Sequence, residues 1–269
     1  MGARFDVARA VARIEHLAGR IGPREATSPS YAEASAVVGG WLRARGYDVR
    51  RQRFAVPAGV SWGVEVPAGT TENLIAAPPG WRPAVPHVVV GAHLDTVPQS
   101  PGAEDNASGV AVMVELAEMA AVAPPVLPIV FVAFGAEEPR GDGDARHHYG
   151  SRHYVDRLSA AERAAIRGMI SLDGVGVGTR VRVRTGGRAA LTVADRIAAV
   201  AARLGMRIAR GTNRASDHWS FEKAGIAAAY VGGQPFAGYH SPRDRPDVIS
   251  TGQLARTGRL VWSTLAAWR

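Results

Sequence analysis

The sequence predicts an α/β protein of three layers, an α/β/α sandwich with helices on both faces of a central mixed, mostly parallel β-sheet. Two observations carry this. Short apolar, β-branched runs bounded by glycine or proline recur along the chain, as at His87-Val88-Val89-Val90-Gly91-Ala92 and Pro128-Ile129-Val130-Phe131-Val132-Ala133-Phe134. Runs of this kind read as strands buried on both faces, the setting of parallel sheets clad with helices. Around them lie segments with helical periodicity and capping signals, and no linker, low-complexity stretch or internal repeat divides the 269 residues. A single domain over residues 1–269 is therefore expected.

The chain opens on an amphipathic helix in which Val7, Val11, Ile14 and Ala18 form the apolar stripe and His16 is a solvated or otherwise satisfied helix residue. Ser30 with Glu33 reads as a capping box for a second helix carrying Val37, Val38, Trp41 and Leu42. The Pro/Gly-rich stretches 57–71 and 77–86 read as loops around a strand at Asn73-Leu74-Ile75-Ala76. The run at 87–92 opens with His87 and delivers His93. Asp105 is followed by Val110, Met113, Val114 and Ala117 at helical spacing, which places it at a helix N-terminus. The run at 128–134 delivers Glu137 and Glu138. Pro139 disfavours helical angles at Glu138, so the two acids should lie on an extended loop with side chains pointing different ways. Residues 140–148 are polar and Gly-rich and read as a mobile loop. Met169-Ile170-Ser171-Leu172 delivers Asp173. Arg180-Val181-Arg182-Val183-Arg184 alternates like the solvated face of an edge strand. A strand at 226–231 precedes the loop carrying His240, and Ser250 with Gln253 caps the last helix.

In such sheets ligands bind beyond the carboxyl ends of the strands. His93, Asp105, Glu137, Glu138, Asp173 and His240 should then meet at one sheet edge. Imidazoles and carboxylates suit zinc, and without cysteine no thiolate site can form. Asp95, two residues after His93, is placed to hold the imidazole through its carboxylate. Singly, each of these residues has a bland reading: an acidic turn, a loop cap, a surface histidine. Their joint recurrence after successive strands argues for a site.

Gly91-Ala92-His93-Leu94-Asp95-Thr96-Val97-Pro98, Asp105-Asn106-Ala107-Ser108-Gly109, Gly135-Ala136-Glu137-Glu138, Ser216-Asp217-His218 and Tyr239-His240-Ser241-Pro242 resemble, in order and spacing, the motifs of the aminopeptidase Y and bacterial leucyl aminopeptidase family of di-zinc peptidases. The likeness covers nearly the whole chain, since Ile21-Gly22-Pro23-Arg24 and Asn73-Leu74-Ile75-Ala76 look like that family's amino-terminal half. The resemblance implies a zinc-exopeptidase-like fold and one zinc peptidase catalytic domain over residues 1–269. It implies two Zn2+ per chain, with His93 and Asp173 on the first, Glu138 and His240 on the second, and Asp105 bridging both; Co2+ or Mn2+ would also suit the donors. Family members often have a cis peptide after this aspartate. Glu137 is implied as general base, Asp95 as the partner of His93, Tyr239 as a residue that polarises the scissile carbonyl, and His218 as a supporting residue. The activity implied is metal-dependent hydrolysis: an aminopeptidase cleaving N-terminal residues from a peptide or small amide with a free amino terminus. One departure stands out. Residues 139–149 separate Glu138 from Gly150-Ser151, where typical members need only a few residues. This insertion could serve as a lid, or its His147 and His148 could bind adventitious metal.

Three rivals stand beside this reading. A deacylase or carboxypeptidase of the aminoacylase and desuccinylase family normally inserts a dimerisation domain and spaces its bridging aspartate farther than the twelve positions from His93 to Asp105. A glutaminyl cyclase usually works with one zinc. A non-catalytic basic binding protein on the same scaffold predicts loss of a ligand or of the base. The net charge is +8 and the pI near 10.6, with Lys223 the only lysine. The arginines are scattered without an aromatic-interleaved patch, so no nucleic-acid partner is expected. Met1-Gly2-Ala3-Arg4-Phe5-Asp6 leads into a charged helix with no apolar signal core, and no run is long and apolar enough to span a membrane. As it stands the chain is expected to be cytoplasmic, although members of this family are often exported. Side-chain specificity and oligomeric state are not legible.

Overall fold

A computed structural model describes residues 4–188 and 192–269; the first three residues of the amino-terminal reading lie outside the described residues. Helix α1 (Val7–Ile14) begins where Asp6 accepts from the Arg9 amide and continues in wider π-type turns over Glu15–Ile21, burying Ala10, Ile14, Leu17 and Ala18. Helix α2 (Pro29–Arg43) starts two residues earlier than expected. Ser28 caps it, accepting from the Tyr31 amide at 3.1 Å, because the fixed φ of Pro29 suits the first helical position and leaves Ser30 inside the helix.

The strands are β1 (Asp48–Val56), β2 (Gly59–Ser61), β3 (Val64–Val66), β4 (Gly69–Ala77), β5 (His87–His93), β6 (Ile129–Phe134), β7 (Ile166–Leu172), β8 (Val181–Thr185), β9 (Ile208–Thr212) and β10 (Ala228–Gly232). The remaining helices are α3 (Gly109–Val122), α4 (Tyr149–Asp156), α5 (Ala160–Ala165), α6 (Thr192–Arg203), α7 (His218–Lys223) and α8 (Thr251–Ala266). Eight strands form one sheet in the order β1-β4-β6-β5-β7-β10-β8-β9. Its centre, β6, β5, β7 and β10, is parallel, whereas β4 and β8 run antiparallel to their central neighbours. Helices α1, α2, α3, α6 and α8 bury their apolar faces in a large core on one side, and α4 and α7 pack on the other, which completes the three layers.

Three expectations change here. The stretch 57–71 contains a small hairpin, β2 with β3, and the start of β4 rather than loop alone. Strand β8 is not an edge: it lies between β10 and β9, so its alternate arginines point away from the core on an inner strand. Ser250 caps α8 by accepting from the Gln253 amide, but the Gln253 side chain donates to the Arg180 carbonyl, leaving the reciprocal half of the box unmade.

Helix α3 is buried from Gly109 to Ala120, as an all-round apolar helix must be. Its two acids are neutralised from α1: Arg9 and Arg13 both pair with Glu115, at 2.6 and 2.9 Å, and Arg13 pairs with Glu118. Among the described residues no helix is long and apolar enough to cross a membrane.

Candidate metal centre

The carboxyl ends of β5, β6 and β7 and the loop after β10 bring the six expected residues together. His93, the last residue of β5, places Nε2 3.0 Å from Asp105 Oδ1 and 3.6 Å from Asp173 Oδ1. His240 places Nε2 2.8 Å from Asp105 Oδ2 and 3.3 Å from Glu138 Oε1. The two oxygens of Asp105 thus face two different imidazoles, each with a second carboxylate at hand. His93, Asp105 and Asp173 form one group whose donor atoms lie within 4.8 Å of one another, and Asp105, Glu138 and His240 form another; His93, Glu137 and Glu138 also meet this spacing.

The donor set fits divalent cations. Four carboxylates and two imidazoles crowd a largely buried space, and Glu138 Oε1 and His240 Nε2 make no hydrogen bond there despite their proximity. Burial raises the Glu138 carboxyl, and with neighbouring Asp105 it reaches about 8. Burial likewise pushes Glu137 well above the ordinary range, helped by Asp173 and Asp95. His240, opposed by burial but drawn up by Glu138 and Asp105, reaches about 10. Cations among these groups would offset the repulsion and take the free lone pairs.

Hydrogen bonds from neighbouring loops hold the donors in place. Asp244 accepts from the Glu104 and Asp105 amides at 2.7 and 3.0 Å. Asn106 donates to the Leu172 carbonyl at 2.8 Å and accepts from the Gly109 amide, tying the Asp105 loop to the end of β7. Glu104 accepts from the Gly176 and Val177 amides, fixing the turn after Asp173. The Asp105-Asn106 peptide is cis, and His240 has φ 51°, a left-handed conformation that a non-glycine residue holds only when its surroundings impose it.

Asp95 does not grip the imidazole as expected. The main-chain carbonyl of Asp95 lies 3.0 Å from His93 Nδ1, whereas the carboxylate lies 3.8 Å away. That carboxylate instead accepts from the Glu137 and Glu138 amides at 3.0 and 3.1 Å, because the Glu-Glu loop presents two main-chain donors to it. Tyr239 stacks on the His240 ring with centroids 3.6 Å apart, meets the Trp62 ring edge-on at 5.9 Å and is 52% exposed. His218 stands outside the cluster, with Nε2 2.9 Å from the Asn213 carbonyl.

The insertion after Glu138 is anchored rather than free. Arg140 is buried and donates to the Pro57 and Pro67 carbonyls and to Glu25, while Asp144 accepts from Trp219 Nε1 and Lys223 Nζ, both at 2.8 Å. The insertion ends on His148, whose amide donates to the Glu137 carbonyl and whose Nε2 lies 3.2 Å from Glu137 Oε1. Burial depresses His148 to about 4, so it faces Glu137 as a neutral ring. Trp62, at the tip of the β2–β3 hairpin, sets its ring edge-on to His240 at 4.3 Å. Neither His148 nor Trp62 was expected at the site; the His147-His148 pair closing the insertion was the one available signal. A cavity of about 320 Å³ adjoins the cluster, lined among others by Asp105, Asp173, Arg182, Arg184, Tyr230 and Tyr239.

Comparison with known proteins bears on the family and the fold. The sequence profile described as Peptidase family M28 matches residues 73–265. Aminopeptidase YwaD of Bacillus subtilis is 34% identical over 204 residues, covering 71% of this chain and 43% of YwaD. Leupeptin-inactivating enzyme 1 of Streptomyces exfoliatus is 33% identical over 148 residues, covering 54% of this chain and 30% of that protein. The chain thus spans less than half the length of these relatives. The fold matches BSAP, a zinc aminopeptidase from Bacillus subtilis, with a TM-score of 0.86 at 22% identity, over 98% of this chain and 95% of the other. It also matches Fimbriiglobus ruber glutaminyl cyclase, with a TM-score of 0.84 at 25% identity, over 100% and 97%.

Proposed function

Because the chain belongs to peptidase family M28, we propose that it is a metal-dependent aminopeptidase, residues 1–269 forming one catalytic domain that removes N-terminal residues from peptides or small amides. The observation that carries this reading is the sharing of Asp105 between two donor groups, with Glu137 beside them. His93 and Asp173 would hold one ion, Glu138 and His240 a second, and Asp105 both; the N/O donors suit two zinc ions, and cobalt or manganese less specifically. Bound there, the ions would supply Lewis acidity and lower the pKa of water.

The chain's own residues do the rest. Glu137 takes the proton of the attacking water and returns it to the leaving amine. Asp95 keeps Glu137 and Glu138 on one rigid loop through their amides. Tyr239, whose phenol is held well above its ordinary range by burial and the carboxylates of Asp105 and Glu138 and so stays protonated at neutral pH, donates a hydrogen bond to the developing oxyanion. Surplus carboxylate charge around the site complements the α-ammonium group of a free amino terminus.

The test is hydrolysis of aminoacyl p-nitroanilides, with N-acetylated controls, by apo protein given zinc in known equivalents. Turnover that rises to about two equivalents and requires the free amino group is the expected result. Cleavage confined to acylated substrates would transfer the assignment to a deacylase, and cyclisation of N-terminal glutamine without hydrolysis would transfer it to a cyclase.

A further inference from the structure

Arg182 and Arg184 line the cavity beside the metal centre together with Asp105 and Asp173. They are two residues apart on one strand and so project from the same face of β8. Their cross-strand neighbours leave room above that face. Arg182 pairs with Gly232 and Ala209, and Arg184 with Tyr230 and Gly211. The Tyr230 hydroxyl folds over Gly232 into the space a Cβ would take, which closes one wall of the cavity.

Neither guanidinium makes an ion pair or a side-chain hydrogen bond among the described residues, although both are half-buried. The three buried arginines among the described residues are engaged: Arg13 by Glu115 and Glu118, Arg24 by five carbonyls, Arg140 by Glu25 and two carbonyls. The carboxylates that line the cavity are engaged as well, Glu104 with the Gly176 and Val177 amides and Asp105 and Asp173 in the donor cluster. Two like charges held side by side, partly out of water and without a counter-ion, are matched by a planar anion that both can grip.

We infer that Arg182 and Arg184 form a carboxylate-binding subsite beside the metal centre, so that the preferred substrates are peptides with an N-terminal glutamate or aspartate. This rests on the aminopeptidase reading. The methylenes of such a side chain would lie against Pro235 and Phe236, which line the same cavity. A second source of the same group is the α-carboxylate of a dipeptide, and the test separates the two.

With the metal-loaded full chain, kcat/KM is compared for glutamyl, glutaminyl and leucyl p-nitroanilides, and for Leu-Gly against Leu-glycinamide. Glutamate and glutamine differ in charge and hardly in shape, so glutamyl is expected to exceed glutaminyl by about tenfold or more at low salt, the advantage shrinking as salt is added. Arg182→Gln and Arg184→Gln should each draw that ratio toward one, whatever they do to overall rate, and Arg184→Glu should turn preference toward a lysyl amide. A glutamyl to glutaminyl ratio near one with Leu-Gly strongly favoured over its amide keeps the subsite and assigns it to a terminal carboxylate. Ratios near one in both pairs, with leucyl turnover present, overturn the inference and leave the aminopeptidase reading intact. If no free-amino substrate is cleaved at any metal loading, that reading fails on its own account. Calorimetric binding of free L-glutamate against L-glutamine then decides the subsite: tighter glutamate, lost in Arg184→Gln, supports it, and equal binding overturns it.

Discussion

Replacing Arg24 by Met should destabilise the protein by about 3–5 kcal/mol. Arg24 is wholly buried and reaches five main-chain carbonyls. Nη1 donates to Leu17, Gly22 and Pro101 at 3.1, 2.7 and 2.7 Å, Nε to Leu94 at 3.1 Å, and Nη2 to Gly102 at 3.1 Å. These carbonyls belong to the end of the first helix, the exit from β5 and the loop that leads to Asp105. Methionine fills much of the volume but donates nothing, and each stranded carbonyl costs roughly 1–3 kcal/mol where water cannot enter. Against that stands the relief of no longer burying a cation. That burial is a genuine cost, for it pulls the guanidinium down to about 10. The relief, several kcal/mol, removes part of the loss and not all of it. Since whole domains are stable by only about 5–15 kcal/mol, the change should be plain in urea. With a slope of about 2–3 kcal/mol/M for a chain this long, the midpoint should fall by about 1–2 M with the slope unchanged. Zinc affinity should fall too, because Asp95 and Asp105 lie on the loops that lose their anchor. A midpoint within about 0.3 M of the parent protein would refute the reasoning, since it would mean the carbonyls find water or never needed the arginine.

Glu137→Gln should leave zinc content close to that of the parent, measured by atomic emission after dialysis, while kcat falls by about 10²–10⁴; retained turnover would remove Glu137 from the base role. Asp105→Ala should lose both ions to a chelator at concentrations that spare the parent, because Asp105 belongs both to the group with His93 and Asp173 and to the group with Glu138 and His240, and a fully loaded variant would refute the bridging role. His218 is buried and its pKa depressed to about 4 by that burial. An unfolded chain protonates it near 6.5, so its contribution to stability is full above pH 6.5 and is lost as the pH falls toward 4. Urea titrations of His218→Asn should show a shallower loss across that window, by up to about 3 kcal/mol; an unchanged slope would count against it.

The local chemistry of the centre was legible because it depends on near neighbours. Apolar runs at 87–92, 128–134 and 169–172 form β5, β6 and β7, and the donors stand where those strands end. Strand β1 was not, since its burial alternates irregularly with Arg50, Arg51 and Arg53 facing solvent, and periodicity is the signal such a reading uses. The cap of α2 moved because Ser28 precedes a proline, a rule that outweighs a nearby Ser-x-x-Glu spacing.

What the sequence by itself determined was the kind of donor, its order and the strand that delivers it, because these follow from periodicity and turn chemistry within about ten residues. Only the tertiary structure decided which atoms meet. Asp95 turns its carboxylate to the Glu137 and Glu138 amides because β6 lies beside β5. His148 comes to Glu137 because the insertion is pinned at Arg140 and Asp144. The arginines of β8 border the cavity rather than open solvent because β9 takes the edge position. Each of these depends on strand order and loop closure, and contacts between segments remote in the chain leave no periodic trace in it.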